Sequence, residues 1–173
     1  MVNLLLNNRK ILFVGMPIFV LVTAVILLKL HKTPEEEIEL RFSELAETVS
    51  LQSELSNVER IGLVRSISDF FAKECHVESQ RFSLDEDLSG EQIAVAVSRR
   101  IKRFIPLKVQ FKDVEVKIES SNTASVSCTI YAEGDSPRGD WREVGEIHCR
   151  LRKPEGGGTW KIKKVRQVPV LER

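Results

Sequence analysis

The feature that most constrains this chain is an uncharged apolar stretch near its start. Residues 11–28 read ILFVGMPIFVLVTAVILL, eighteen positions without a charge. As a helix this stretch would be roughly 27 Å long, close to the ~30 Å hydrocarbon thickness of a bilayer. We therefore predict a transmembrane helix over residues 11–30, which meets the lipid bilayer through residues 11–28 and follows a short tail of residues 1–10. A buried core helix is the alternative, but such helices usually carry more polar residues.

A cleaved signal peptide would need a shorter apolar core and a cleavage site of small residues. The segment after the apolar stretch, residues 28–32, has no A-x-A pattern, so a retained signal anchor is favoured. Basic residues flank both ends of the stretch, and the positive-inside rule is nearly balanced. Long domains translocate largely regardless of charge. We therefore predict a single-pass protein of the inner (cytoplasmic) membrane with its folded domain on the extracytoplasmic side.

The charge of the chain is divided unevenly along its length. The net charge is +1, but residues 33–98 carry five basic and fifteen acidic residues, whereas residues 99–173 carry seventeen basic and ten acidic ones. An asymmetry of this size indicates that the two halves face each other or face different partners. The length after the apolar stretch suits one domain, which we place at residues 36–173 after a linker of residues 31–35.

The first half of this domain has the apolar spacing of helices. Three amphipathic helices are predicted, over about 33–50, 56–76 and 89–104, each opened by a Ser or Thr cap. In the second of them, Val58 and Ile61 fall on the face that we expect to be buried. The third is stopped by a proline at position 106.

From residue 107 the apolar period changes to two, which is typical of strands. Four strands are predicted, at about 107–118, 124–132, 141–152 and 159–170. The alternation slips between Phe111 and Val114 and again at Val165, so both strands are expected to contain a bulge. Helices that precede strands indicate an α+β fold. We predict about three helices packed on a curved four-stranded antiparallel sheet.

The sequence offers no metal or cofactor motif. Residues 79–90 are predicted to form a loop, and the acids at 85–87 lack the ligand spacing of a calcium loop. Cys75, Cys128 and Cys149 form no C-x-x-C pair. Three inert core thiols are the favoured interpretation, and a disulfide between the last two is the alternative in an oxidising compartment.

Two motifs in the second half carry a resemblance to a known family. They are Asn122-Thr-Ala-Ser-Val126, at the start of a strand, and Gly158-Thr-Trp-Lys-Ile-Lys-Lys-Val165, in the closing strand. With them, residues 36–172 resemble the nuclear transport factor 2-like (SnoaL-like, cystatin-like) superfamily, and most closely its bacterial membrane-anchored members of unassigned activity. The resemblance implies a cone-shaped fold and a homodimer through the open sheet face. It leaves the function open, because the superfamily contains isomerases, dehydratases and docking domains.

The resemblance also implies where an active site would lie. Superfamily isomerases place a carboxylate base and a Tyr or second acid inside the cone. Here Tyr131 falls in the outward phase of its strand. Asp69 and His76 remain as candidate acid–base residues, although a helix-capping or surface role is the plainer interpretation of each. No catalytic pair is evident, so the sequence favours a non-enzymatic protein over an enzyme.

Basic residues alternate along the two closing strands. They are Arg150, Arg152, Lys161, Lys163, Lys164 and Arg166. We predict that they bind an acidic partner surface, and solvated side chains are the alternative. Nucleic acid is not expected, because exposed aromatic residues for base stacking are missing. The function predicted from the sequence is therefore docking, assembly or scaffolding at a membrane surface, and the alternative is a small-molecule-binding protein or enzyme that uses the cone cavity.

Overall fold

A computed structural model describes residues 32–137 and 139–168 of the chain. The predicted tail and membrane span, over residues 1–10 and 11–30, lie outside these residues. Within the described ranges, no helix combines the length and the apolar character needed to cross a membrane.

The first described helix, α1, runs over Pro34–Val49, as predicted. Its buried residues recur at three- and four-residue spacing, so one face of the helix is apolar. This face packs on strand β3, which spans Leu107–Ser120. There the rings of Phe42 and Phe111 meet edge to face, with centroids 5.3 Å apart. The contact fixes α1 across the inner face of the sheet.

The second helix, α2, is shorter than predicted. It runs over Asn57–Ser68 and ends at Asp69, and the chain then enters strand β1, Phe71–Ser79. The prediction that the helix continues to residue 76 is therefore wrong. The reason is tertiary, because β1 completes hydrogen-bonded ladders with two other strands, which outweigh a weak local preference for helix.

The predicted burial of α2 is also wrong at two positions. Val58 is 79% exposed and Ile61 is 72% exposed, whereas Ile67 on the opposite side of the helix is fully buried. Because α2 is amphipathic over a narrow stripe only, its remaining apolar residues face away from the core.

Among the described residues the sheet has six strands, where four were predicted. The two additional strands are β1 and β2, and β2 spans Leu84–Leu88 within the predicted loop. The strand order is β2-β1-β6-β5-β4-β3. Neighbouring strands are antiparallel except for β1 and β6, which run parallel. β1 therefore joins the four strands of the second half to the first half of the chain.

The other elements follow the prediction closely. Helix α3 spans Gly90–Ile101, and strands β4, β5 and β6 span Thr123–Ser136, Gly139–Arg152 and Lys161–Val168. The first predicted bulge is confirmed by a register shift in β3, where Asp113 adopts a positive φ of 51°. The second is confirmed by a shift in the register of β5 with β6.

The inner face of the sheet is covered by α1, α2 and α3 and by its own large side chains. Trp160 is 2% exposed, and its indole N–H donates to Glu37 Oε2 of α1 at 3.2 Å. Farther along, Phe104 stacks on Trp141 with ring centroids 4.0 Å apart. Cys75, Cys128 and Cys149 all lie in this core as free, buried thiols. The core interpretation of the cysteines is therefore the one that the structure shows.

Candidate functional site

Asp69 lies at the end of α2, outside the core. Its carboxylate accepts a hydrogen bond from Lys161 Nζ at 2.7 Å and forms an ion pair with Arg41 at 3.5 Å. These cations, with the Lys161 hydrogen bond first, hold the pKa of Asp69 below its usual range even though partial burial opposes them. A carboxylate that is 64% exposed and firmly ionised is suited to joining α1, α2 and β6, and poorly suited to taking a proton near neutral pH.

His76 lies on the outer face of the sheet. Its Nε2 is 3.1 Å from Asp85 and its Nδ1 is 3.1 Å from Asp87, both on β2. The imidazole thus ties β1 to the acidic edge strand and does not contact Asp69. Among the residues that the structure describes, no group of three His, Cys, Asp or Glu side chains is placed to hold a metal ion.

The six basic residues fall into two groups. Arg152, Lys161 and Lys163 lie around the end of α2, where Lys161 contacts Asp69. Farther along β5 and β6, on the same outer face of the sheet, the other three form what we call the outer-face patch: Arg150, Lys164 and Arg166. They are neighbours because Arg150 pairs with Lys164 in the register of β5 with β6, and His148 pairs with Arg166 one rung along.

The residues around Asp69 line an open groove of about 1250 Å³. Its floor includes Phe70, and the guanidinium of Arg41 stacks over that ring at 4.0 Å. α2 forms one wall, from which Ile61 and Arg65 project. The groove therefore combines apolar and charged surface, and it lies on the helical side of the domain.

The outer-face patch is only partly neutralised. Lys164 lies 3.2 Å from Glu78, and Arg150 lies 4.0 Å from Glu119. Arg166 approaches His148 Nδ1 at 3.5 Å. Within the described ranges it forms no ion pair, although Glu78 of β1 stands in register with it and pairs with Lys164 instead. On the β4 side of the patch, Arg150 pairs with Ser125 and His148 pairs with Ser127. These serine side chains are short, so the long basic side chains extend beyond them.

Comparison with known proteins identifies the fold of this domain. No family model and no curated protein matches the sequence, but several solved structures match its fold. A superfamily protein from Salmonella enterica serovar Typhimurium covers 80% of this chain and 92% of its own, with 10% identity and a TM-score of 0.62. The domain has the nuclear transport factor 2-like fold.

Two further structures agree. A nuclear transport factor 2-like protein with a cystatin-like fold from Novosphingobium aromaticivorans covers 88% of this chain and 90% of its own, with 12% identity and a TM-score of 0.61. A proposed dehydratase of the same family from Streptomyces avermitilis covers 79% and 97%, with 16% identity and a TM-score of 0.57. Identities this low establish the fold alone.

The nuclear transport factor 2-like cone also carries polar residues on its inner face that the sequence prediction missed. Glu143 is in phase with Trp141 and Gly145 on β5, and it forms an ion pair with Arg81. Nearby, the buried Ser79 hydroxyl donates to Gln167 Oε1 at 2.5 Å. Counting phase from Trp141 would have placed Glu143 inward. These residues are the inward-facing polar groups from which a ligand site in the cone would be built.

Proposed function

We propose that this domain is a non-enzymatic docking module that binds an acidic protein surface through the outer-face patch of Arg150, Lys164 and Arg166. The observation that carries the proposal is the position of these side chains. They project from the face of the sheet opposite the core, and Arg166 forms no ion pair among the described residues. Cations that protrude from an exposed sheet face suit a charge-complementary partner and steer its approach.

The two acid–base candidates add indirect support. Asp69 is exposed and held ionised by Lys161 and Arg41, and His76 is occupied by two carboxylates of β2. Neither side chain faces the interior of the cone. The proposal includes a location at the inner membrane, which rests on the apolar stretch of residues 11–28. A tethered domain meets its partners at a fixed surface, so moderate affinity is sufficient for docking.

The docking proposal predicts that Arg150→Glu/Arg166→Glu, in the full-length chain, reduces recovery of the crosslinked complex from membranes about tenfold. The reason is that reversed charges repel an acidic partner. The measurement is in-cell crosslinking followed by quantitative mass spectrometry. Lys161 is left unchanged, because its reversal would break the contact with Asp69.

A matched control is available on the same face of the sheet. Lys108→Glu/Arg142→Glu changes the net charge equally at the far end of β3 and β5, where both residues flank Glu133. Docking through the patch leaves the complex of this variant at the level of the unchanged protein. If both double variants lose the complex equally, the effect is one of total charge and the outer-face patch is not the docking site.

A second candidate function is small-molecule binding in the cone, and the inward position of Glu143 favours it. The proposed dehydratase among the structural neighbours has the same fold, which makes this class worth testing. Gly145 lies beside these polar residues, and a Cβ there would meet Ile130 and Gln167 only at ordinary contact distances. A larger side chain at this position would therefore fill the space beside Ile130 and Gln167.

The cone hypothesis predicts that some members of a library of small organic fragments give saturation-transfer NMR signals with the full-length protein, and that Gly145→Leu abolishes these signals by filling the space beside Gln167. Gly139→Leu is not a suitable comparison, because Gly139 has a positive φ of 108°. Thr123→Leu, on the outer face of β4, is the control. Signals that survive Gly145→Leu, or are absent from the unchanged protein, would remove the cone from consideration.

A further inference from the structure

The outer side of α2 is an apolar face that nothing in the described domain covers. Val58 and Ile61 are 79% and 72% exposed. Between them and Arg65 lies Gly62, at which a Cβ would have nothing within 4 Å. At 100° per residue these positions share one side of the helix, and Ile67, fully buried, lies on the other. Because nothing lies near Gly62, a side chain placed there would not disturb the domain.

The two ends of α2 carry opposite charges. Glu59 lies in the first turn and Arg65 in the last. Glu59 accepts a hydrogen bond from the backbone N–H of Ser56, and its hydrogen bonds with Ser56 hold the pKa of Glu59 below its usual range. Arg65 has no ion-pair partner within residues 32–137 and 139–168. The helix therefore presents an ionised acid at one end and an unpaired base at the other.

We propose that α2 of one chain packs antiparallel on α2 of a second copy of the same chain, about a two-fold axis near Gly62. This arrangement covers Val58 and Ile61 of both copies, and it places Glu59 of each copy beside Arg65 of the other. A parallel arrangement would set Glu59 against Glu59. Isologous pairing of one patch with itself is the usual geometry of dimers.

A second copy fits this face better than an anionic membrane does. On α2 itself, Glu59 and Arg65 lie at opposite ends of the exposed face. An anionic surface would attract Arg65 and repel Glu59, whereas a copy related by a two-fold axis pairs each of these charges with its opposite. The face also lies on the helical side of the domain, away from the outer-face patch, so this association goes beyond the proposed docking function.

The test uses a single surface cysteine in the full-length protein. Gly62→Cys places a thiol near the proposed axis, and copper phenanthroline is the oxidant. The native thiols are buried, and burial raises the pKa of Cys75 to about 11, so they compete poorly. We expect a disulfide-linked dimer that forms about tenfold faster than with Ser121→Cys, an exposed position at the β3–β4 turn, because the bound state raises the local thiol concentration.

Charge exchange then tests the pairing itself. In the Gly62→Cys background, Arg65→Glu is expected to lower the dimer yield about tenfold by setting acid against acid. Adding Glu59→Arg exchanges the two charges and restores the yield. The exchanged variant has also lost the Glu59 hydrogen bond to Ser56, so restored yield cannot come from helix capping. Circular dichroism confirms that each variant is folded.

Three results would overturn the inference. They are equal crosslinking rates for Gly62→Cys and Ser121→Cys, failure of the charge exchange to restore the yield, and crosslinking through Val144→Cys alone. Val144 is half exposed on the outer face of the sheet, so the last result would show self-association through that face instead. Failure of the α2 dimer is in this way separated from failure of docking at the outer-face patch.

Discussion

Replacing Trp160 with alanine is expected to lower the free energy of unfolding by about 3–5 kcal/mol, the usual cost of removing a large buried aromatic side chain. Trp160 is 2% exposed, and its N–H reaches Glu37 on α1. The change thus removes core volume and a contact between the sheet and the first helix. Because domains of this size are stable by about 5–15 kcal/mol, the loss should be evident as a lower urea midpoint followed by circular dichroism.

Trp160→Phe separates the two contributions. It keeps most of the ring volume and removes the hydrogen bond, so a smaller loss of about 1–2 kcal/mol is expected. Val144→Ala, at a half-exposed position of the outer face, is the control and should have little effect. A loss below about 1 kcal/mol for Trp160→Ala would show that this end of the cone is not packed around the indole.

Raising the pH from 8 to 10 is expected to lower the free energy of unfolding by about 4 kcal/mol through the three thiols together, about 1.4 kcal/mol for each. Burial raises the pKa of Cys75 from 9.0 to about 11 and that of Cys128 to about 12, and it also raises the pKa of Cys149. Above pH 9 the unfolded chain loses these protons while the folded chain keeps them. The stabilisation is therefore complete below about pH 9 and is lost as the pH rises toward the folded pKa values.

The matched control is the variant with all three cysteines changed to alanine. Lysine side chains also titrate near pH 10, but they do so in both proteins and cancel in the comparison. The measurement is urea unfolding at pH 8 and pH 10. If both proteins lose the same free energy between these pH values, the thiols of Cys75, Cys128 and Cys149 are not shielded as the structure indicates.

Sequence reasoning worked best where the local signal and the fold agree. The capping boxes of Ser56 with Glu59 and of Ser89 with Gln92 are both formed, because such caps depend only on residues three positions apart. The strands from residue 107 onward also follow the prediction, since strict alternation indicates one buried face. The two motifs that carried the family resemblance lie in these strands, which is why the fold could be recognised.

The first half of the sheet could not be predicted in the same way. β1 follows directly on α2, and Phe70 and Phe71 continue the helical spacing of the apolar residues. Within β1, Lys73 and Glu74 are both exposed, and the register with β6 shifts between Phe71 and His76. This irregularity removes the period-two pattern. β2 is short and acidic, as edge strands often are, so its sequence resembles that of a loop.

The sequence predicted which residues form the candidate site better than it predicted where they lie relative to one another. The sequence named the basic residues of β5 and β6, but it treated them as one surface. In the structure, Lys161 pairs with Asp69 at the end of α2, while Lys164 lies beside Glu78. A bulge between these two lysines contributes to the separation. Their partners come from α2 and β1, so no inspection of the closing strands alone could have revealed the division.

The parallel pairing of β1 with β6 has a consequence for how this protein is made. Phe71 pairs with Ile162, so the first strand to leave the ribosome waits for the last one before its ladder is complete. Until then the edge of the β1–β2 hairpin and the edge of β5 are both unpaired, and open edges invite pairing with other chains. Contacts so distant in sequence also slow folding. Nascent chains that end before Lys161 should therefore be the forms that most need a chaperone.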